Sequence, residues 1–158
     1  MVPMKFFKLS ICILCVSVLF NSCKKEYSSE HLLDPIGSWQ FREGSLYSGY
    51  LDNFHTSTGV GSNVQLLTGK TFDNTASLEL KLFTDSLKAG TFRASQFQCS
   101  LLYSSGGKTI YEANGQIGEF IVNITTIDST HLTGSFSGTA EDKSGNLVQI
   151  SEGEFIIQ

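Results

Sequence analysis

Histidine and cysteine are the side chains in this chain that best suit acid–base, nucleophilic or metal chemistry, and both are few. Cys99 would need a nearby base and an electropositive setting to act as a nucleophile. It stands in phase with Phe97 and Leu101 on one face of a predicted strand, where a small buried residue belongs. Zinc sites need paired Cys or His ligands at short spacing, and no such pair occurs among the histidines, which are His31, His55 and His131. We expect a buried thiol, no metal and no cofactor.

The acidic residues and serines form no recognisable catalytic pattern. The carboxylates are scattered singly apart from Glu141-Asp142, although the paired carboxylates of a glycosidase meet only in the folded chain. Asp142, Ser144 and Asn146 imitate a calcium-binding loop without its Gly and its terminal Glu, so a hairpin turn is the better interpretation. No serine lies in a Gly-x-Ser-x-Gly elbow. We therefore predict that the protein is not an enzyme.

The first 22 residues have the pattern of an export signal. Lys5 and Lys8 precede an apolar run from Leu9 to Phe20. This run has the length of a signal-peptide core and is shorter than the roughly 20 residues of a membrane-spanning helix. At its end, Ser22-Cys23-Lys24-Lys25 resembles a lipobox, the site at which a signal peptidase cuts before a lipid-modified cysteine. The resemblance implies cleavage after Ser22 and a diacylglycerol on Cys23.

The charged residues after Cys23 are similar to those of Bacteroidota lipoproteins. That resemblance implies an exported outer-membrane lipoprotein on the cell surface or the periplasmic face. Several acyl chains hold such a protein firmly, because each buried CH₂ contributes about 0.8 kcal/mol. Asp34-Pro35 marks the start of a fold, since the residue before proline is pushed out of the helical region. The predicted organisation is a signal peptide over 1–22, a lipid-anchored tether over 23–35 and an all-β domain over 36–158.

Composition limits how the domain is stabilised and what it binds. Cys12 and Cys15 leave with the signal peptide and Cys23 is acylated, so only Cys99 is left and no internal disulfide can form. Cleavage also removes two of the eleven basic residues and none of the fifteen acidic ones. The net charge then falls from −4 to about −6. An acidic surface without a Lys or Arg cluster is unsuited to nucleic acid, whose binding depends on neutralising phosphates.

Period-two alternation of apolar and polar residues runs through the domain, which is typical of half-buried strands. It is clear over 77–82, 97–103 and 132–140, and again from Val148 to the end. The segment 120–127 is apolar on both faces, as a central strand would be. We therefore expect about seven to ten short strands and no helix in the domain.

Turn residues separate these runs. Gly106-Gly107 and Asn114-Gly115 predict two-residue hairpins, because both central residues of such a turn need positive φ. Asp142 to Asn146 predicts a longer hairpin, and Glu152-Gly153 predicts a bulge. Short strands at this spacing predict a single antiparallel β-sandwich or β-barrel, and the pattern leaves the choice between them open.

Residues 44–63 lack a firm strand pattern apart from a short candidate strand around 46–51. The segment is rich in Gly, Ser and Thr and carries Tyr47, Tyr50 and Phe54. Long loops of this kind are usually functional or mobile, and aromatic rings supply stacking and apolar contact. We therefore predict a loop whose three aromatic residues are candidate ligand contacts. The alternative is that Tyr47 and Tyr50 belong to a strand with alternate side chains in the core.

Gly37-Ser38-Trp39 resembles the Gly-x-Trp motif in the first strand of lipocalins. In that family the tryptophan closes the barrel floor and a late arginine packs over it, whereas the last arginine here is Arg93. The resemblance implies a barrel that carries a small apolar ligand, with Trp39 as a fourth candidate contact. The alternative is a core tryptophan in an edge strand.

Two further resemblances concern exported Bacteroidota proteins. Gly134 to Thr139, followed by Gly153-Glu154-Phe155, is similar to the ending of small lipoproteins of that group, which implies a β fold and no particular activity. Asp85-Ser86-Leu87 and Asp128-Ser129-Thr130 are similar to their O-glycosylation acceptor. Ser86 and Ser129 are therefore candidate attachment sites.

These observations together predict a lipid-anchored, non-enzymatic domain of the cell envelope with a binding or structural role. Besides the membrane, its expected partner is a glycan, a small molecule or a protein. The alternative is a lipocalin-like carrier of a small apolar ligand.

Overall fold

A computed structural model describes residues 36–59 and 62–158. The predicted signal peptide, Cys23 and the tether lie outside these residues. The described residues form ten strands and one 3₁₀ turn at Ala94–Gln96, and no helix among them is long and apolar enough to cross a membrane. The strands are β1 (Gly37–Glu43), β2 (Ser45–Gly59), β3 (Ser62–Thr71), β4 (Ala76–Phe83), β5 (Gly90–Arg93), β6 (Cys99–Ser105), β7 (Lys108–Ala113), β8 (Phe120–Ile127), β9 (Leu132–Asp142) and β10 (Leu147–Ile157).

Eight of these strands close into an antiparallel barrel. Its order is β10-β1-β2-β3-β4-β6-β7-β9, and pairing of β9 with β10 completes the ring. The contact between β7 and β9 is short, with Tyr111 opposite Asp142 and Glu112 opposite Glu141. The rest of that edge of β9 pairs with β8, which in turn pairs with β5. The all-β prediction is confirmed, and the open choice between sandwich and barrel is resolved as a barrel with two additional strands.

The inward-facing side chains fill the barrel across its axis. β1 and β6 stand on opposite sides of the ring, yet the ring centroids of Phe41 on β1 and Tyr103 on β6 are 5.4 Å apart. Trp39 lies 6.0 Å from the same tyrosine. Such distances are those of packed aromatic pairs. The centre of the barrel is therefore occupied by its own aromatic rings.

Glycines on β9 and β10 make room for two of these rings. In the antiparallel register, Gly134 stands opposite Phe155 and Gly153 opposite Phe136. A Cβ on Gly134 would lie 2.3 Å from the Phe155 ring, and one on Gly153 would lie 2.4 Å from the Phe136 ring. The two Gly-x-Phe segments of the sequence are thus reciprocal halves of one packing unit.

Most of the predicted turns are confirmed. Gly106 and Gly107 adopt φ of 58° and 73° between β6 and β7, and Asp142 to Asn146 joins β9 to β10. The bulge at Glu152-Gly153 is also present, as a register shift between β10 and β9.

The predicted hairpin at Asn114-Gly115 is wrong, because β7 and β8 are not paired with each other. Residues 114–119 instead connect β7 to β8, and these two strands pair with successive parts of the same edge of β9.

The loop predicted over 44–63 is also wrong. Apart from Gly44, its described residues belong to the long strand β2 and the start of β3, which pair along their length. A register shift between Leu51 and Asn53 breaks the alternation of β2, so period two fails where the strand continues. The alternative, a strand that contains both tyrosines, is the one that the structure supports.

Candidate functional site

Trp39 lies inside the barrel rather than at a surface. Its side chain is 2% exposed, and its indole N–H donates to the Tyr50 carbonyl at 3.1 Å. A Cβ on Gly49 or Gly69 would lie within 2.7 Å of the indole ring, so these two glycines provide the space that it occupies. A ligand contact by Trp39 stays a prediction, and it would require the packed rings around it to separate.

Tyr47 joins a polar cluster with Tyr111 and Glu43. The Tyr111 hydroxyl donates to Glu43 Oε2 at 2.8 Å and lies 2.9 Å from the Tyr47 hydroxyl. Burial raises the pKa of Tyr111 well above its ordinary value, and the hydrogen bonds with Tyr47 and Glu43 raise it further. The cluster therefore keeps Tyr111 protonated as a donor to the carboxylate. Sequence reasoning found Tyr47 but missed its two partners.

The side chains of Tyr50 and Phe54, both on β2, lie in different surroundings. The Tyr50 hydroxyl donates to Asn74 Oδ1 at 2.5 Å, and its ring lies 6.4 Å from the exposed ring of Phe72. Phe54 is partly buried and packs against the core. The structure therefore does not bring Tyr47, Tyr50 and Phe54 into one exposed row. Phe72 also borders a small groove of about 350 Å³ over β10, β1 and β2.

A larger groove lies on the outer face of β4, β6 and β7. It has a volume of about 630 Å³ and is open to solvent. We call it the β4–β6–β7 groove, and its principal side chains are Glu79, Lys81, Phe83, Phe97, Leu102 and Glu112. Because successive side chains of a strand point to opposite faces, the same strands that fill the barrel core also present this outer surface.

Phe97 is the most exposed aromatic residue of the groove, with 70% of its surface accessible. The sequence placed it on the buried face with Cys99, and that prediction is wrong. The 3₁₀ turn ends at Phe97, which adopts φ 57° and ψ 31°, so the alternation starts only after it. The turn is closed by hydrogen bonds from Phe97 N–H to the Ala94 carbonyl at 2.8 Å and from Gln98 N–H to the Arg93 carbonyl at 3.0 Å.

Glu119 and Gly115, in the connection between β7 and β8, both contact this turn. Arg93 donates to Glu119 Oε1 at 3.0 Å, and hydrogen bonds from Ser95 and Arg93 lower the pKa of Glu119. A Cβ on Gly115 would lie 2.4 Å from the Ala94 carbonyl and 3.0 Å from the Phe97 ring. The bare backbone at Gly115 therefore lets the Phe97 ring lie against it.

The polar groups of the groove are engaged with one another. Lys81 lies 2.6 Å from Glu79, and Asn114 donates to Glu112 Oε1 at 2.7 Å. The groove therefore offers oriented carboxylate and amide groups beside two phenylalanines. Its one lysine is paired with Glu79, whereas the partner of Glu112 is a neutral amide.

The remaining candidates are separate from this surface. Cys99 is 1% exposed, as predicted, and its thiol donates to the Phe92 carbonyl at 3.4 Å. Burial raises the pKa of the Cys99 thiol to about 12, so the thiol stays protonated. Ser86 and Ser129 are exposed in turns between strands, and whether either carries a glycan stays a prediction.

Among residues 36–59 and 62–158, no three His, Cys, Asp or Glu side chains lie close enough together to hold a metal ion. Asp142, which stands first in the segment that imitates a calcium-binding loop, accepts backbone N–H groups from Ser144 at 2.8 Å and Asn146 at 2.9 Å. Its carboxylate is thus engaged by its own hairpin. Comparisons with protein-family models, curated proteins and solved structures found no match for this chain.

Proposed function

We propose that this protein is a non-enzymatic binding domain, tethered by lipid to the cell envelope, that takes its ligand on the outside of the barrel. Two features support the outer surface. The barrel axis is occupied where Phe41 meets Tyr103, whereas the β4–β6–β7 groove of about 630 Å³ is open. Ligand sites are concave and mostly apolar with a few placed polar groups, and the groove has that character.

The tether supports the envelope part of the proposal. It rests on the export signal and on the lipobox-like segment that ends at Cys23. Metabolic labelling with a fatty-acid analogue tests the anchor. The wild type is expected to be labelled and Cys23→Ala is not, and label that persists in the variant would contradict the assignment.

A lipocalin-like carrier of a small apolar ligand is the alternative, and the closed eight-stranded barrel is compatible with it. The packed aromatic rings argue against it. Ring contacts of 5.4 Å and 6.0 Å across the axis leave no room at that level for a ligand between them. A carrier would have to displace these rings, which would forfeit their mutual packing.

The test uses the full-length protein, purified in detergent, on arrays of neutral oligosaccharides, peptides and fluorescent fatty acids. Leu102→Arg places a long cation in the β4–β6–β7 groove. The control, Ile156→Arg, places one on β10, outside this groove, where Ile156 is 38% exposed. We expect Leu102→Arg to abolish wild-type array signals that Ile156→Arg preserves. Fatty-acid binding that survives Leu102→Arg would instead support the carrier.

A further inference from the structure

We infer that the β4–β6–β7 groove binds a neutral carbohydrate, with Phe97 as the ring on which a sugar stacks. The inference rests on the proposed function and names its ligand class. A pyranose has an apolar face that packs on an aromatic ring and a rim of hydroxyls that needs donors and acceptors. The groove supplies Phe97 and Phe83 for the apolar face of the sugar. For its hydroxyls the groove supplies the polar groups of Glu79, Glu112 and Asn114.

The exposed ring is held ready for stacking. Phe97 is fixed by the braced turn between Arg93 and Gln98 and rests against Gly115. A platform that is already ordered loses little conformational freedom on binding, which favours affinity. Its φ of 57° is strained for a bulky residue, and a side chain that is 70% exposed gains little burial in return. Strain of this kind collects at binding and catalytic sites.

Other ligand classes fit the groove less well. An extended peptide needs free backbone groups, and on β4 and β6, the two strands at the centre of the groove, both edges are already paired. An apolar ligand would remove water from Glu79 and Glu112, which is unfavourable. An anion would meet no free cation there, since Lys81 is paired with Glu79. A neutral polyhydroxylated ligand meets none of these obstacles.

The experiment titrates the full-length protein with neutral oligosaccharides of four to six units, chosen from an array of several backbone linkages. Phe97→Asn removes the ring and leaves a residue that accepts positive φ. Phe72→Asn is the matched control, because Phe72 is equally exposed, at 72%, and lies outside the groove. We expect Phe97→Asn to weaken binding about tenfold or more, with a melting temperature within about 3 °C of the wild type. We expect Phe72→Asn to bind as the wild type does.

The outcomes separate the two proposals. Undiminished oligosaccharide binding by Phe97→Asn would overturn the stacking role, and if Leu102→Arg also bound, the groove itself would be wrong. Absence of any neutral oligosaccharide ligand, together with a peptide or fatty-acid signal that Leu102→Arg abolishes, would overturn the carbohydrate inference and leave the binding groove in place. Equal loss of binding in Phe72→Asn would also count against the inference.

Discussion

Replacing Gly134 by alanine tests the packing unit that the two Gly-x-Phe segments form. The added methyl group would lie 2.3 Å from Phe155 Cζ and 2.6 Å from the Asn123 carbonyl oxygen. The first obstacle is a side chain that can move only into a packed core. The second is backbone in β8, paired with β9 at this point. Neither can retreat freely, so we expect the substitution to be strongly destabilising.

The magnitude follows from the size of the overlap. Ordinary contacts begin near 3.4 Å, so the Phe155 ring must move by about 1 Å to admit the methyl group. Overpacking of a core typically costs about 1–3 kcal/mol, and the backbone obstacle places Gly134→Ala near the upper limit. A loss of about 3 kcal/mol lowers the melting temperature of a domain of this size by roughly 10 °C. That is a large part of a typical free energy of unfolding of about 5–15 kcal/mol.

Thermal and urea unfolding of the wild type and four variants checks this reasoning. Gly44→Ala is the control, since Gly44 has φ +62° but nothing within 4 Å of an added Cβ. Strain alone then lowers its stability by about 1 kcal/mol. Phe155→Leu removes the ring that Gly134→Ala meets, so the double variant should be more stable than the sum of the two single changes predicts. A loss in Gly134→Ala no larger than in Gly44→Ala, or strict additivity, would refute the packing argument.

Three further predictions concern single groups. The Cys99 thiol, with its pKa near 12, should react slowly with Ellman's reagent in native buffer and quickly in denaturant; rapid native labelling would show that it is accessible. Tyr111→Phe leaves Glu43 and Tyr47 without a shared hydroxyl, so we expect a loss of about 1–2 kcal/mol in urea unfolding, and wild-type stability would contradict the role of the cluster. Backbone N–H groups of Thr130 and His131 lower the pKa of Asp128 from 3.8 to about 2. Its contribution to stability is therefore present above pH 4 and is lost as pH falls through 2. Asp128→Asn should reduce the fall in melting temperature between pH 5 and pH 2, and an unchanged fall would argue against it.

Local rules were sufficient where one residue type alone determines the backbone. Gly106-Gly107 predicts its hairpin because both residues need positive φ, and they adopt it. The alternation of Leu78, Leu80 and Leu82 predicts β4 because one face of the strand is buried. Closure of the barrel is different, because β7 and β8 share one edge of β9. That arrangement depends on contacts between distant segments, and no local pattern encodes it.

The errors have physical reasons as well. The bulge between Leu51 and Asn53 shifts the alternation of inward and outward side chains along β2. The sequence pattern therefore predicts a loop for the residues beyond it, although they are paired with β3. The sequence predicts Tyr47 and Trp39 as candidate ligand contacts, and the structure places Trp39 in the core and packs Tyr47 against it. The groove was missed because its side chains come from β4, β6 and β7, where each is one polar or apolar position in an ordinary alternation.

Backbone strain provides the signal that the sequence lacks. Among the described residues, three other than glycine have positive φ: Asn74, Phe97 and Glu152. Asn74 tolerates that conformation by its chemistry and accepts the Tyr50 hydroxyl. Glu152 sits in the β10 bulge, where Arg42 donates to it at 2.7 Å. Phe97 has neither reason, since asparagine or glycine would suit the turn better and its ring faces solvent. Phe97 therefore holds a strained conformation at the border of the β4–β6–β7 groove, and the carbohydrate contact that we infer would account for it.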